Sequence, residues 1–87
     1  MTTYNKFSST KEFVDCLNRN CELEFGFENK DYSILPTEKD NQFVVIEIDN
    51  DNKETLYNDL ESLLNHQFKN KRLADILGEM TIYFRSI

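Results

Sequence analysis

Apolar and polar residues follow one another along this chain in two rhythms, and the switches between them outline its elements. Ser9-Thr10-Lys11-Glu12 has the form of a capping box, in which a Ser hydroxyl accepts from the third helical amide while Glu12 reaches back. Phe13, Val14, Cys16 and Leu17 follow at one-sided helical spacing, and Asn18-Arg19-Asn20 supplies a stop. A short helix is expected there. From Cys21 the period becomes two: Cys21, Leu23, Phe25 and Phe27 alternate with Glu22, Glu24, Gly26 and Glu28, as in a half-buried strand. Asn29-Lys30 marks a turn, and Tyr32 and Ile34 resume an extended pattern up to Pro36, which together predict a hairpin.

Thr37 to Asn41 makes a second turn, and Gln42 to Asp49 is the strongest strand in the chain because most of its apolar residues are β-branched. Val44, Ile46 and Ile48 would share one face. Phe43 and Val45 would share the other with Glu47 and Asp49, so this second face needs partial cover or is a contact surface. After a loop over 50–53, Leu56, Tyr57, Leu60, Leu63, Leu64 and Phe68 fall on one side of an amphipathic helix. Asn58-Asp59-Leu60-Glu61 also reads as a capping signal, and in that case Glu54 to Tyr57 is extended. Lys69-Asn70-Lys71 breaks the pattern. Leu73, Ile76, Leu77 and Met80 then repeat at i, i+3, i+4 and i+7 as a third helix, with Gly78 near its end. Thr81 to Arg85 returns to β-rich residues as an edge or central strand. The order α-β-β-β-α-α-β predicts an α+β fold: one antiparallel sheet with helices packed on one face.

Composition narrows the class. Eighty-seven residues at 39% hydrophobic and 13% aromatic make one domain over 1–87, too apolar for a disordered chain, with 1–8 as a loosely ordered lead-in. No apolar run approaches the roughly 18 residues of a membrane span, and the polar N-terminus has no apolar leader stretch, so a cytoplasmic protein without a membrane partner is expected. Cys16 and Cys21 are expected to act as small buried hydrophobes, since a bridge between them would close a loop too short to organise a fold. With His66 they would offer three metal ligands, short of a closed structural site.

Little catalytic equipment is present. His66 is the single His, and its place just past a leucine pair at a helix C-terminus predicts an exposed or capping role. Asp49-Asn50-Asp51-Asn52 begins like a calcium loop, but Lys53 and Glu54 occupy its fifth and sixth positions and Leu60 its twelfth. Gly26 and Gly78 are the only glycines, which leaves no phosphate-cradling loop. Neither a cofactor nor a metal is expected, and the chain does not read as an enzyme.

Charge carries more information. The net charge is −6, yet residues 12–61 hold 14 acids against 4 bases, while the remainder holds 2 against 6. Glu22, Glu24 and Glu28 share one face of the first strand, and Glu47 and Asp49 would continue it if the third strand pairs in suitable register. Lys69, Lys71 and Arg72 form only a thin basic patch, which argues against direct nucleic-acid binding. The five acids instead suit a basic protein surface.

The run Glu22-Leu23-Glu24-Phe25-Gly26-Phe27, then Asp31-Tyr32-Ser33-Ile34, Asp59 to Asn65 and Leu73-Ala74-Asp75-Ile76 resembles a group of short uncharacterised proteins of low-GC Gram-positive bacteria and their phages. The resemblance covers about residues 21–77 and differs at Lys71, where the group carries Gly. It implies no activity and no site. Ten Asn with abundant Lys, Ile, Phe and Tyr fit an AT-rich bacterial or phage genome. The expectation is a small acidic, non-enzymatic accessory protein that binds another protein. The alternative is a phage or mobile-element inhibitor of a host enzyme, as a nucleic-acid mimic. Phe43, Val45, Tyr83 and Phe84 would serve a dimer as readily as a core.

Overall fold

A computed structural model describes residues 7–48 and 53–86. Helix α1 (Thr10–Asn18) starts where its cap signal lies. Ser9 Oγ accepts from the Glu12 amide at 3.2 Å, and Glu12 reaches back one residue further than expected, to the Ser8 amide at 2.7 Å. Its end is a Schellman motif. The Asn20 amide donates to Leu17 O and the Cys21 amide to Cys16 O, with Asn20 in the left-handed region at φ 59°. That geometry sets the third-last helical residue against the second residue beyond the cap, here Cys16 against Cys21. The two are joined by a disulfide with Cα atoms 5.4 Å apart. Both are buried as expected, but their bonding corrects the expectation of two separate thiols.

Strands β1 (Leu23–Phe27) and β2 (Lys30–Pro36) form the predicted hairpin, joined through Glu28 and Asn29, both at positive φ, the signature of a tight two-residue turn. Strand β3 (Phe43–Glu47) pairs with β2, and β4 (Lys53–Tyr57) pairs with β3. Of the two readings of residues 54–57, the extended one is therefore correct. Asp59 caps the following helix α2 (Leu60–Leu64), its carboxylate accepting from the Ser62 amide at 2.7 Å. The long amphipathic helix expected through Phe68 is cut short there. Leucine periodicity across 56–64 arises from a strand followed by a helix, and the two periods coincide over so few residues.

A two-residue hairpin follows, β5 (Gln67–Phe68) with β6 (Lys71–Arg72), turning at Lys69 with φ 58°. Helix α3 (Leu73–Ile76) is shorter than its apolar pattern, although Leu73, Ile76, Leu77 and Met80 are all buried. Strand β7 (Thr81–Arg85) pairs antiparallel with β1 and closes the sheet order β4-β3-β2-β1-β7. The expected order thus gains a fourth consecutive strand and a small hairpin, within the α+β fold.

Because β4 and β7 lie at opposite edges, the segment 58–80 must cross the sheet to connect them. Its apolar residues and those of α1 meet one parity of strand residues in a single core: Leu23, Phe25, Ile34, Phe43, Val45 and Ile82. All three helices pack on that face. At the end of the core nearest the β1–β2 turn, the Phe68 ring lies against the rings of Phe25, Phe27, Tyr32 and His66, with centroids 4.8–6.3 Å apart. At the β7 edge, Arg85 lies over the Phe7 ring and pairs with Glu12 at 3.4 Å, tying the strand to the start of α1.

Phe68→Ala is expected to destabilise the protein by about 3–5 kcal/mol in urea unfolding, against about 0.5 kcal/mol for the exposed Phe84→Ala. A similar cost for both would remove Phe68 from the core packing. Reduction of the disulfide, which closes a very short loop, should cost about 2 kcal/mol and leave the circular dichroism spectrum unchanged.

Candidate functional site

The register separates the predicted acids. Phe25 pairs with Tyr32 and Tyr32 with Glu47, so Glu47 lies on the helix-covered face, whereas Glu24 lies on the opposite one. The expected continuous carboxylate face over Glu22, Glu24, Glu28 and Glu47 therefore does not form. An intervening strand fixes the parity between β1 and β3, and it sets Glu47 with Phe25. Glu22 precedes β1 and is exposed. Its backbone exchanges hydrogen bonds with Ser86 at 2.8 and 3.0 Å. Glu28 sits in the hairpin turn and pairs with Lys69 at 3.3 Å. Asp49, like the calcium-loop residues that follow it, lies outside the described residues.

The face away from the helices carries three cross-strand rows. Thr81, Gly26, Asp31 and Ile48 make the first; Phe84, Glu24, Ser33, Ile46 and Glu54 the second; Leu35, Val44 and Leu56 the third. Nothing among the described residues layers over it. Ile48, Leu56, Tyr83 and Phe84 are 40%, 54%, 61% and 48% exposed. Scattered apolar side chains on a surface mean little, but Ile48 and Leu56 adjoin the half-buried Leu35, Val44 and Ile46 as one cluster on the β3–β4 side, whereas Tyr83 and Phe84 lie at the opposite edge beyond Glu24 and the buried Ser33. The face expected to need cover, that of Phe43 and Val45, is the buried one, and the Val44 face is open.

A register shift between Glu24 and Phe25 leaves Tyr83 as the extra residue of β7, and the bulge turns its ring over Gly26. A Cβ on Gly26 would overlap the Tyr83 hydroxyl and ring, so the glycine is what lets the hydroxyl end of the ring approach the sheet.

Charge is sorted by parity. The described strand acids on the open face are Glu24, Asp31 and Glu54; the strand bases Lys30, Lys53 and Arg85 occupy helix-side positions with Glu47. Asp31 and Glu54 were missed by sequence reasoning. The signal for Glu54 was the alternation Lys53-Glu54-Thr55-Leu56-Tyr57, read as a loop followed by a helix start.

Other features are less suited to ligand recognition. The basic patch is neutralised: Lys69 pairs with Glu28, Lys71 with Glu79 at 3.0 Å and Arg72 with Asp75 at 3.2 Å. A groove of about 470 Å³ between the helices is lined by Val14, Leu60 and Leu64, with Glu61 and Arg72 of opposite sign at its rim. A cleft of about 170 Å³ beside Phe68 likewise mixes Glu28 and Glu47 with Lys30 and Lys69.

Of the exposed or capping role expected of His66, burial corrects the first, while its backbone amide donates to Leu63 O at 3.0 Å at the end of α2. The Tyr57 hydroxyl and His66 Nδ1 share a hydrogen bond of 2.5 Å, and the imidazole packs at a steep angle against the rings of Tyr57 and Phe68. Burial lowers its pKa below the ordinary value of 6.5; Glu47 opposes that shift and Lys53 adds to it. Burial also raises the Tyr57 pKa, so both shifts favour the uncharged pair. Hydrogen-bonded and packed in this way, His66 is a structural group.

The unfolded chain takes up a proton at His66 near pH 6.5 and the folded chain only at lower pH, so stability should fall as pH drops below about 6.5. Urea midpoints across that range should show the fall in the native protein, and His66→Gln should flatten it. The carboxylates held low by hydrogen bonds, Glu12, Asp59 and Asp75, lose their contribution in the more acidic range below the ordinary carboxylate pKa and leave this window clear.

Among known proteins, no family model, no curated sequence and no solved structure matches the chain.

Proposed function

We propose that this protein is a small acidic, non-enzymatic bacterial accessory protein that binds another protein through the open face of its sheet. One observation carries the reading: that face joins exposed apolar residues to strand charges of one sign, Glu24, Asp31 and Glu54, while the strand bases lie on the other face. Burying such a surface gains apolar contact along β3 and β4, and the acids select and steer a partner whose surface is basic. Glu22, at the margin beside Glu24, adds to the same field. Glu28 and Glu47, on the helix side, drop out of the binding set.

Acid spacing favours a protein partner over nucleic-acid mimicry. Glu24 and Glu54 sit three strand spacings apart, about 14 Å, with Ser33 and Ile46 between them. Duplex DNA presents a charge every ~1.7 Å along its axis. The bacterial, cytoplasmic setting rests on the resemblance and composition described above. In a reducing cytoplasm Cys16 and Cys21 would be thiols, and the Schellman turn would hold them side by side without the bond.

The test is capture with a tagged protein, comparing native chain with Glu24→Lys/Glu54→Lys. A partner held at low salt should be released as ionic strength rises toward 1 M, where the Debye length is about 3 Å. The double reversal should lose it, and Glu28→Lys, on the helix side, should keep it. A partner indifferent to Glu24 and Glu54 but lost on Glu28→Lys would move the binding surface to the other face.

A further inference from the structure

On that reading of the open face, we infer that its occupant is a basic amphipathic helix of the partner, seated along β3. The ridge for it is Val44, Ile46 and Ile48, which point the same way along one strand, with the Ile48 amide still bonded to Asp31 O at 3.0 Å beyond the end of β3. Leu35 on one side and Leu56 on the other widen the ridge at Val44. Acids flank it on both sides: Glu54 lies directly across from Ile46 on β4, and Asp31 beside Ile48 on β2, with Glu24 one strand further out.

The dimensions match a helix. Four residue steps along β3 cover about 14 Å, the length of about nine helical residues. A helix about 10 Å across spans two strand spacings, so it would lie on β3 and lean onto β2 and β4. An apolar stripe would then face Val44, Ile46 and Ile48, and Lys or Arg side chains beside the stripe would reach down to Glu54 and Asp31 along their apolar stems. A partner strand would join the outer edge of β4 or β7, which no described strand pairs, and leave the face uncovered. A second copy placed face to face would set Glu24, Asp31 and Glu54 against their own kind. The opposite face of the same sheet is already covered by helices, so a helix here completes a layer of known chemistry.

The experiment titrates the isotope-labelled full chain with three synthetic peptides of about 14 residues, longer than the ridge requires. One carries Leu at i, i+3, i+4 and i+7 with Lys on both flanks; the second replaces Lys by Glu; the third scrambles the first and so destroys the stripe. The expected result is chemical-shift change at Val44, Ile46, Ile48, Glu54 and Leu56, with binding of the basic helix at least about tenfold tighter than either control. In Glu24→Lys/Glu54→Lys, checked for an unchanged spectrum elsewhere, the preference should pass to the Glu peptide. Equal binding of the scrambled peptide overturns the helix while the acidic-face reading stands. Equal binding of the Glu peptide, or shifts confined to the helix side, overturns both. No binding of any peptide, with the tagged capture still sensitive to Glu24 and Glu54, overturns the helix alone. Sedimentation of the free chain as a dimer, with β3 amides shifting on dilution, would replace the helix by a second copy.

Discussion

The packing of the Phe68 ring is the contact that holds the crossover segment to the sheet. It belongs to a two-residue strand that could not stand by itself, and its ring meets those of Phe25, Phe27, Tyr32 and His66 at steep angles. Through it the small hairpin is fastened to the middle of the sheet. Through His66 and its hydrogen bond to Tyr57, the same ring is coupled to the edge strand β4. The segment that must travel from one sheet edge to the other is thereby pinned halfway across. Helices of five and four residues would be marginal in isolation, and here they are held by this anchor and by their own buried leucines.

Pinning the crossover to one face leaves the other without a covering layer among the described residues, and that asymmetry produces the open face. Five strands share a sheet whose helix side takes Leu23, Phe25, Ile34, Phe43 and Val45 into the core. The reverse side keeps Ile48, Leu56, Tyr83 and Phe84 in solvent among Glu24, Asp31 and Glu54. A fold of this size buries a limited part of its apolar residues, and an aliphatic face left over after the core is filled is where a partner gains most. The bulge at Tyr83 and the glycine beneath it shape the far margin of the same surface.

Much of the fold was legible in the sequence, and the failures have identifiable causes. Helix α1, the β1–β2 hairpin and β3 follow from local patterns: a cap, a two-residue turn, a β-branched run. Residues 53–64 were ambiguous because leucines at 56, 60, 63 and 64 fit a helix whether or not the first belongs to a strand. Asp59 as a cap, together with β3 waiting for a neighbour, resolved them. The disulfide was implicit in Asn18-Arg19-Asn20, since a left-handed Asn after a helix brings the residues at Cys16 and Cys21 together. His66 misled because its place in sequence, past a helix end, says nothing of Phe68 folding back over it.

The sequence by itself determined the alternation in β1, β2 and β3, the excess of acid in the central segment and the absence of glycine-rich phosphate loops, since each is a property of neighbours along the chain. It could not determine which parity faces outward. Strand β3 is apolar on both faces, and Glu24 and Glu47 belong to strands that never touch. Only the pairing of β2 between them, with Tyr32 opposite Phe25 and Glu47 alike, set one acid on each side of the sheet. Register is a non-local property, and a shift of one residue would exchange the two faces. The tertiary structure chose the pairing that buries Phe43 and Val45 beneath the crossover, and with it set Glu24, Asp31 and Glu54 on the open face.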